Sequence, residues 1–190
     1  MAGKAVLAHG ASGSPGWSAL GEPQERDRFE ALVLPHLDAA HNLARWLVRR
    51  DAEAEDLAQE AMLRAYRFFD GFRGGDARAW LLRIVRNVCY TWLARGKDTR
   101  EFDEARDGAA DETPESLAIA AADRERLARA LEELPARFRE VIVLRELEGC
   151  SYKEIAEITG SPIGTVMSSL SRARRRLEQA LLAGRSAEVP

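Results

Sequence analysis

Hydrophobic side chains recur every three or four positions along most of the chain, and this spacing is typical of helices that bury one face. The first periodic stretch begins near Phe29 and runs past Trp46, and Pro35 is expected to kink it or split it in two. The same spacing predicts further helices over residues 52–69, 77–94, 116–133, 135–149, 151–159 and 162–182. No stretch has the alternating pattern of a strand, so the sequence predicts an all-α protein.

Residues that favour helix ends stand where these helices would begin and end. Asp51 and Asp76 are expected to cap the second and third helices with their side chains. Ser151 and Glu154 have the Ser-x-x-Glu spacing of a capping box, and the short helix that they open is expected to end at Gly160.

Composition shifts divide the chain into two helical units. Residues 1–22 are rich in Gly, Ala, Ser and Pro and are interpreted as a disordered tail. Residues 97–115 have few large apolar side chains and many acidic ones, which is typical of a flexible linker. The prediction is a small helical domain over 23–96, an acidic flexible linker, a second small helical domain over 116–184, and a tail over 185–190.

The length of 190 residues leaves room for one domain or two small ones, and 46% hydrophobic with 31% charged residues is a globular balance. No apolar run approaches the roughly 18 residues of a membrane span, and the apolar stretch after Lys4 is too short for a signal peptide. The expected location is therefore the cytoplasm, without insertion into a membrane. Cys89 and Cys150 lie far apart without a CxxC motif, which argues against a disulfide scaffold or a zinc ribbon.

The net charge of −3 hides an uneven distribution along the chain. Residues 41–100 carry twelve basic and eight acidic side chains, for a net charge of +4. Residues 101–134 carry four basic and eleven acidic side chains, for −7, and residues 135–190 return to +2. Because local patches decide binding, the acidic total does not exclude a nucleic-acid partner.

The second predicted helix has a polar face with an apolar residue at its centre. At about 100° per residue, its buried stripe would comprise Leu57, Ala61, Ala65, Phe68 and Phe69. The opposite face carries Asp56, Gln59, Glu60 and Arg67, with Leu63 in their middle. A single exposed leucine is ordinary, and a leucine ringed by charges is also typical of the centre of a contact with a partner helix.

The third predicted helix combines an inward aromatic stripe with a basic outer face. The residues expected to face inward are Trp80, Leu81, Ile84, Val88 and Trp92. Arg83, Arg86 and Tyr90 lie on the opposite side, Asn87 lies at the edge near Trp80, and no acidic residue occurs between Asp76 and Asp98. Such a face suits phosphate contacts and base stacking, and it is also compatible with a solvated basic surface over core tryptophans.

The last two predicted helices form a helix-turn-helix pattern, with a short helix, a turn that contains Gly160, and a longer helix. The residues expected to pack inward are Tyr152, Ile155, Ala156, Val166, Leu170, Ala173 and Leu177. The residues expected on the outer side and its shoulders are Thr165, Ser168, Ser171, Arg172, Arg174, Arg175 and Arg176. Hydroxyls and arginines read base edges and hold phosphates, so this acid-free surface favours DNA binding over an αα-hairpin with a charged surface.

The sequence contains no grouping of residues that would support catalysis. There is no P-loop, HExxH or Gly-x-Ser-x-Gly motif. His36 and His41 are five residues apart and do not share a helix face, which argues against a metal site. We expect no catalytic residue, metal, cofactor or small-molecule substrate, and we interpret the two cysteines as small apolar side chains.

Three stretches of the chain carry patterns of a known family. The first is DAEAEDLAQEAMLRAYR over residues 51–67. The second comprises FRGG over 72–75 and AWLLRIVRN over 79–87. The third comprises LPARFREVIVLRELEG over 134–149, SYKEIAEI over 151–158 and PIGTV over 162–166. In this order they resemble a bacterial RNA polymerase sigma factor of the extracytoplasmic-function (ECF) branch, over about residues 25–95 and 116–182.

The resemblance implies a role for each domain. The first, sigma region two, would bind the clamp of core RNA polymerase through Asp56, Gln59, Glu60, Leu63 and Arg67. It would recognise and melt the −10 element through Phe72, Arg78, Trp80, Arg83, Arg86, Asn87 and Tyr90. Asn87 would line a pocket for a flipped-out base, framed by Phe72 and the loop over residues 72–78. The second, sigma region four, would touch the polymerase flap and read the −35 element through Thr165, Met167, Ser168, Ser171, Arg172, Arg175 and Arg176.

The resemblance also implies an alternative sigma factor without enzymatic activity, which acts in a stress or envelope response and is controlled by an anti-sigma factor. The acidic linker would thread polymerase channels that otherwise hold nucleic acid. Met167 and Ser169 stand where many relatives carry Lys or Arg, which weakens one expected phosphate contact. The alternative is a stand-alone helix-turn-helix transcriptional regulator, and binding to core polymerase distinguishes the two.

Overall fold

The computed structural model describes residues 23–96 and 116–187, and all regular secondary structure in these ranges is helical. The helices are α1 (Pro23–Leu32), α2 (Leu37–Val48), α3 (Asp51–Arg67), α4 (Ala77–Gly96), α5 (Ser116–Glu133), α6 (Ala136–Ile142), α7 (Tyr152–Thr159) and α8 (Ile163–Ala187). Two 3-10 turns, Leu34–His36 and Phe69–Gly71, and a π-helical turn, Val143–Leu147, complete the described structure. The all-α prediction is confirmed over these residues.

The tail predicted over 1–22, the linker predicted over 97–115 and the last residues, 188–190, lie outside the described ranges. α8 continues to Ala187, past its expected end near residue 182. None of the helices in the described ranges is both long and apolar enough to cross a membrane.

The helices α3 and α4 both have an aspartate near their start, but only one of the two caps its helix. The Asp76 carboxylate accepts hydrogen bonds from the backbone N–H groups of Arg78 and Ala79, at 2.9 and 3.1 Å. It therefore satisfies two donors that have no partner within α4. The prediction that Asp51 caps α3 is wrong, because α3 begins at Asp51 itself and the carboxylate pairs with Arg45 at 3.0 Å.

The first helical unit is built from α1 to α4, and α2, α3 and α4 pack against one another. α2 buries Ala40, Leu43, Ala44, Leu47 and Val48 in the spacing of an amphipathic helix. α3 buries Leu57 and four alanines, and such small side chains allow helix axes to approach closely. Pro35 splits the first periodic stretch as predicted, because it lies in the 3-10 turn between α1 and α2.

The second unit contains the predicted helix-turn-helix, formed by α7 and α8. The capping box is present, because Ser151 Oγ accepts the N–H of Glu154 at 3.2 Å and the Glu154 carboxylate accepts the N–H of Ser151 at 2.6 Å. Gly160 ends α7 with a φ of 64°, in the left-handed region that glycine adopts easily. The predicted inner stripe of α8 is buried at Val166, Leu170 and Ala173.

The two units pack against each other, an arrangement that the sequence did not predict. α4 contacts α7, and α2 contacts α6. Buried side chains from both units form one continuous hydrophobic cluster. In the described structure, the helix-turn-helix unit therefore packs directly against the first unit.

We expect the Asp76→Ala variant to lower the free energy of unfolding by about 1 kcal/mol, because two N–H groups at the start of α4 lose their acceptor. Urea denaturation followed by far-ultraviolet circular dichroism measures the loss. Asp51→Ala is the matched control, since it removes only an exposed ion pair at the start of α3 and should cost less. Equal losses in the two variants would contradict the capping role of Asp76.

Candidate nucleic-acid interface

The outer face of α3 presents the residues that the sequence predicted as a partner contact. The members of this face are all exposed, namely Asp56, Gln59, Glu60, Leu63 and Arg67. Leu63 is 62% exposed, and the neighbouring Glu60 carboxylate pairs with Arg64 at 2.5 Å. The side of α3 that faces away from the core therefore presents the apolar Leu63 side chain among polar and charged side chains.

Phe68 is a further exposed apolar side chain, at the C-terminal end of α3. It is 65% exposed, so its predicted place in the buried stripe is wrong. Consecutive helical residues point about 100° apart, and only one of Phe68 and Phe69 can face the core. Phe69 faces the core. Two adjacent aromatic residues in a helix therefore already indicate that one of the two rings will be exposed.

Phe72 is buried in an aromatic cluster beneath the loop that precedes α4. Its ring lies 5.8 Å from that of Phe69 and 5.1 Å from that of Trp80. The Arg28 guanidinium lies 5.2 Å from the centre of the Phe69 ring and donates to the Phe72 carbonyl at 3.4 Å. Phe72 and Trp80 therefore support the loop from inside in this conformation, and the Phe72 ring is only 6% exposed.

The buried stripe of α4 is rotated from the predicted one. The fully buried members are Leu81, Leu82, Val85, Val88 and Cys89, whereas Trp80, Ile84 and Trp92 are only partly buried. The difference arises because α4 is covered on two sides, by α2 and α3 within its own unit and by α7 of the other. A helical wheel of α4 alone shows which side is most apolar, but it does not show that another helix, α7, covers a second side.

Arg86 and Tyr90 of α4 both bind the carboxylate of Glu140 on α6. Arg86 Nε donates to Glu140 Oε1 at 2.6 Å, and the Tyr90 hydroxyl donates to Oε2 at 3.0 Å. The Arg86 guanidinium also lies 4.5 Å from the centre of the Tyr90 ring. Since the Glu140 side chain is only 3% exposed, this carboxylate is held away from water by residues of the first unit.

Arg78, at the start of α4, makes a second set of contacts with the other unit. It donates to the carboxylate and to the backbone carbonyl of Glu148, each at 2.6 Å. It also donates to Cys150 Sγ at 3.6 Å. The amide of Asn42 on α2 binds the other carboxylate oxygen, so Glu148 connects two helices of the first unit.

Burial raises the pKa values of two of these groups, Glu140 and Tyr90. Burial raises the pKa of Glu140, although the charge of Arg86 and the hydrogen bonds from Arg86 and Tyr90 act in the opposite direction. The pKa of Tyr90 is raised by burial and by the neighbouring charge of Glu140. Keeping the Glu140 carboxylate ionised in this position therefore costs free energy, which Arg86 and Tyr90 offset only in part.

The exposed remainder of the α4 face carries an open depression of about 590 Å³. The residues that line it are Asn87, Tyr90, Thr91, Ala94 and Arg95. Asn87 is exposed, and its backbone carbonyl accepts the Thr91 hydroxyl at 2.7 Å. Phe72 and the loop over residues 72–78 do not line this depression.

The outer side of α8 is exposed over residues 163–183, apart from half-buried positions at its margins. Every predicted −35 residue is exposed, namely Thr165, Met167, Ser168, Ser171, Arg172, Arg175 and Arg176. The Ser168 hydroxyl donates to the Thr165 carbonyl at 3.0 Å, and the Arg176 guanidinium lies 5.0 Å from the centre of the Phe138 ring. Arg176 is thus held at the side of the helix, whereas Arg172 extends from its open face.

The two cysteines are buried and are not joined by a disulfide bond. Burial raises the pKa of Cys89 to about 12 and that of Cys150 to about 11, so both are protonated at neutral pH. Among the described residues there is no group of three or more His, Cys, Asp and Glu side chains that could hold a metal ion.

The sequence matches two family models, one for each helical unit. The model described as Sigma-70 region 2 matches residues 32–99, and that described as Sigma-70, region 4 matches residues 124–177. The chain is 34% identical over 169 residues to the RNA polymerase sigma-H factor of Pseudomonas aeruginosa, which covers 83% of this chain and 88% of that protein. The chain belongs to the ECF family of RNA polymerase sigma factors.

Two further comparisons agree with this membership. The sigma factor is 38% identical over 138 residues to the ECF RNA polymerase sigma-E factor of Escherichia coli K12, with 66% of this chain and 72% of that protein covered. It also resembles the solved sigma factor RpoE of Bartonella quintana, with a TM-score of 0.68, 32% identity and coverage of 82% and 97% of the two chains. The Bartonella protein was solved in complex with the anti-sigma factor NepR.

Most of the residues predicted to contact the −10 element in this sigma factor are engaged within the protein. Phe72 and Trp80 lie in the aromatic cluster. Arg78, Arg86 and Tyr90 bind carboxylates of the second unit. Only Arg83 and Asn87 of the predicted set are exposed.

Sequence reasoning missed the partners of these residues, Glu140 and Glu148. Both stand in the stretch that resembles the −35-reading domain, among acids that look alike in the sequence. Glu146, between them, is exposed and pairs with Arg174 of its own unit at 2.7 Å. No feature of the sequence alone separates the two buried acids from the exposed one.

Proposed function

We propose that this sigma factor binds core RNA polymerase through the outer face of α3, opens the −10 element with α4 and reads the −35 element with α8. The observation that carries the proposal is the exposure of two separate surfaces in the two matched regions. Leu63 centres the first surface, and Arg172 lies on the second. A stand-alone regulator would need only the second surface.

The proposal assigns residues 23–96 to region two, 97–115 to an acidic linker and 116–184 to region four, with tails over 1–22 and 185–190. Charge supports this division, since the block that contains the linker is acidic and its neighbours are basic. An acidic segment suits a polymerase channel that otherwise holds nucleic acid. We propose that the protein acts in the cytoplasm and has no enzymatic activity of its own.

We also propose that an anti-sigma factor controls this protein, in a stress or envelope response. The support is the likeness to the Bartonella sigma factor, which was solved with its anti-sigma factor. The likeness spans 82% of this chain, so both units are included in it. Co-purification of the tagged protein with such a partner, and its release on induction, would test this part.

Run-off transcription with core polymerase tests the main proposal. Genomic fragments, including the region upstream of the protein's own gene, serve as templates. We expect transcripts with defined start sites only when both core polymerase and this protein are present. Binding to the same fragments without polymerase, with no transcript when it is added, would favour the stand-alone regulator.

We expect the Leu63→Glu variant to compete poorly for core polymerase, because a charge at the centre of an apolar contact typically costs several kcal/mol. Competition against a second sigma factor measures the change. Leu127→Glu is the matched control, since Leu127 is also exposed, at 41%, but lies on α5 in the second unit. Unchanged competition by Leu63→Glu would remove this residue from the interface.

We expect the Asn87→Ala variant to bind promoters almost normally and to open them poorly. A lost hydrogen bond to a flipped base should cost about 1–3 kcal/mol, and this cost applies only after the base has left the stack. Permanganate footprinting reports the unpaired thymines. Thr91→Ala is the control within the same depression, because its hydroxyl is bonded to the Asn87 carbonyl. Normal melting by Asn87→Ala would contradict the pocket.

We expect Arg172→Ala and Arg176→Ala to have different effects on −35 recognition. Arg172 lies on the open face of α8, so its loss should cost about 1–3 kcal/mol and relax the preference at one base pair. Arg176 packs beside Phe138, so its loss should weaken all sequences alike and lower the salt slope by about one. Transcription from a library randomised across the −35 element measures both. An unchanged preference and output for Arg172→Ala would exclude α8 as the reader.

A further inference from the structure

The first turns of α8 carry no charged side chain, in contrast to the turns that follow. Residues 163–171 read IGTVMSSLS, and the basic residues that come after them are Arg172, Arg174, Arg175 and Arg176. In a helix-turn-helix, the N-terminal residues of the second helix contact the base edges in the major groove. The part of α8 that is suited to enter the groove is therefore uncharged.

Two large apolar side chains are exposed in these turns. Ile163 is 47% exposed and Met167 is 52% exposed, whereas Val166 and Leu170 are each only 1% exposed. Residues four apart lie on the same side of a helix, and helical side chains lean toward the N-terminus, so Met167 extends over the turn that contains Ile163. We call these two exposed side chains the apolar strip of α8.

The apolar strip and Arg172 lie on different sides of the reading face. At about 100° per residue, Met167 lies to one side of Ser168 and Arg172 lies to the other. Arg174, seven residues after Met167, points in nearly the same direction as Met167, and its guanidinium pairs with the Glu146 carboxylate at 2.7 Å. The side of α8 that carries the strip therefore meets DNA with apolar atoms and with a cation that already has a partner.

We propose that Met167 is a specificity-determining residue of this sigma factor and reads the C5-methyl group of a thymine in the −35 element. The proposal rests on the proposed role of α8 at that element. Thymine presents a methyl group in the major groove, whereas the other bases present hydrogen-bond donors and acceptors there. Methionine is unbranched and polarisable, so its side chain adapts to such an apolar group.

The surroundings of the strip favour DNA as its occupant. Hydroxyl groups flank it, and no acidic residue occurs between Glu157 and Glu178. The Met167 thioether is only a weak acceptor, so it would leave the polar edge of another base without a hydrogen bond after displacing water. Met167 therefore selects thymine both by the contact that it makes and by the edges that it excludes.

Deoxyuridine substitution tests the contact without changing the protein, because deoxyuridine lacks only the C5-methyl group of thymidine. Holoenzyme formed from core polymerase and the full chain is titrated onto duplexes of a promoter identified by run-off transcription. Each −35 thymine, on either strand, is replaced in turn. We expect one replacement to weaken binding about fourfold, as for the loss of one methyl-sized apolar contact. Unchanged binding for every replacement would overturn the proposal.

Variants of α8 assign the contact to one side chain. Met167→Ala should bind the thymine and deoxyuridine duplexes equally, and Met167→Leu should retain most of the difference. Leu182→Ala is the matched control, since Leu182 is also an exposed apolar residue of α8, at 56%, but lies about four turns further along. The control should keep the full difference. If Met167→Ala still distinguishes the two duplexes, the proposal is wrong.

Met167→Lys separates an apolar role from an electrostatic one. Lysine at this position should abolish the dependence on the methyl group and should steepen the salt slope by about 0.9, for one added phosphate contact. Far-ultraviolet circular dichroism should report wild-type helix content, because the substituted side chain is exposed. Dependence on the methyl group that persists in Met167→Lys would contradict an apolar contact by this residue.

The promoter library randomised across the −35 element separates this inference from the proposed function. We expect Met167→Ala to relax the preference at one base pair that contains thymine, distinct from the base pair that depends on Arg172. A wild-type preference that does not depend on any thymine methyl would overturn the assignment of Met167 alone. Wild-type output that is independent of the −35 sequence would overturn the proposed role of α8 as well.

Discussion

Two adjacent residues of α6, Arg139 and Glu140, carry opposite charges into the boundary between the two units, at 4% and 3% exposure. The Arg139 guanidinium donates to the carbonyls of Glu132, Leu134 and, across the boundary at 3.4 Å, Leu47. The first two lie at the end of α5 and the third near the end of α2, where helical carbonyls lack partners. Burial, together with the nearby charge of Arg49, lowers the pKa of Arg139 to about 10. Glu140 is paired with Arg86 and Tyr90 of the other unit, and Arg139 adds one hydrogen bond across the boundary to the two within its own unit, so both residues help to join the two units.

The boundary between the two units divides the predicted functional residues of this sigma factor into two sets. The side chains proposed to meet the polymerase and the −35 element are on faces that the boundary between the units does not cover. Most of the side chains proposed to meet the −10 element are on α4, which residues of both units cover.

Local features of the fold could be predicted from the sequence, and long-range ones could not. Helical periodicity, the capping box at Ser151 and the cap at Asp76 depend on residues within one or two turns of each other. The cap at Asp51 failed because its helix starts one residue earlier than expected. The contacts of Glu140 with Arg86 and Tyr90 join positions about fifty residues apart, and no periodicity records such a pairing. The same limit explains the rotated stripe of α4.

The π-helical turn at Val143–Leu147 has a consequence for the directions of the two acids around it. The Glu148 N–H donates to the Val143 carbonyl at 2.9 Å, five residues back, so the turn holds one residue more than an α-helical one. In a regular α-helix, residues eight apart would be offset by about 80° around the axis, and one absorbed residue reduces the offset to about 20°. Glu140 and Glu148 therefore share a helical phase and face the same neighbour. Deleting a single residue from the turn would leave the two acids seven apart in a regular α-helix, at the same offset of about 20°, so the π turn accommodates one extra residue without changing the common direction of the two carboxylates.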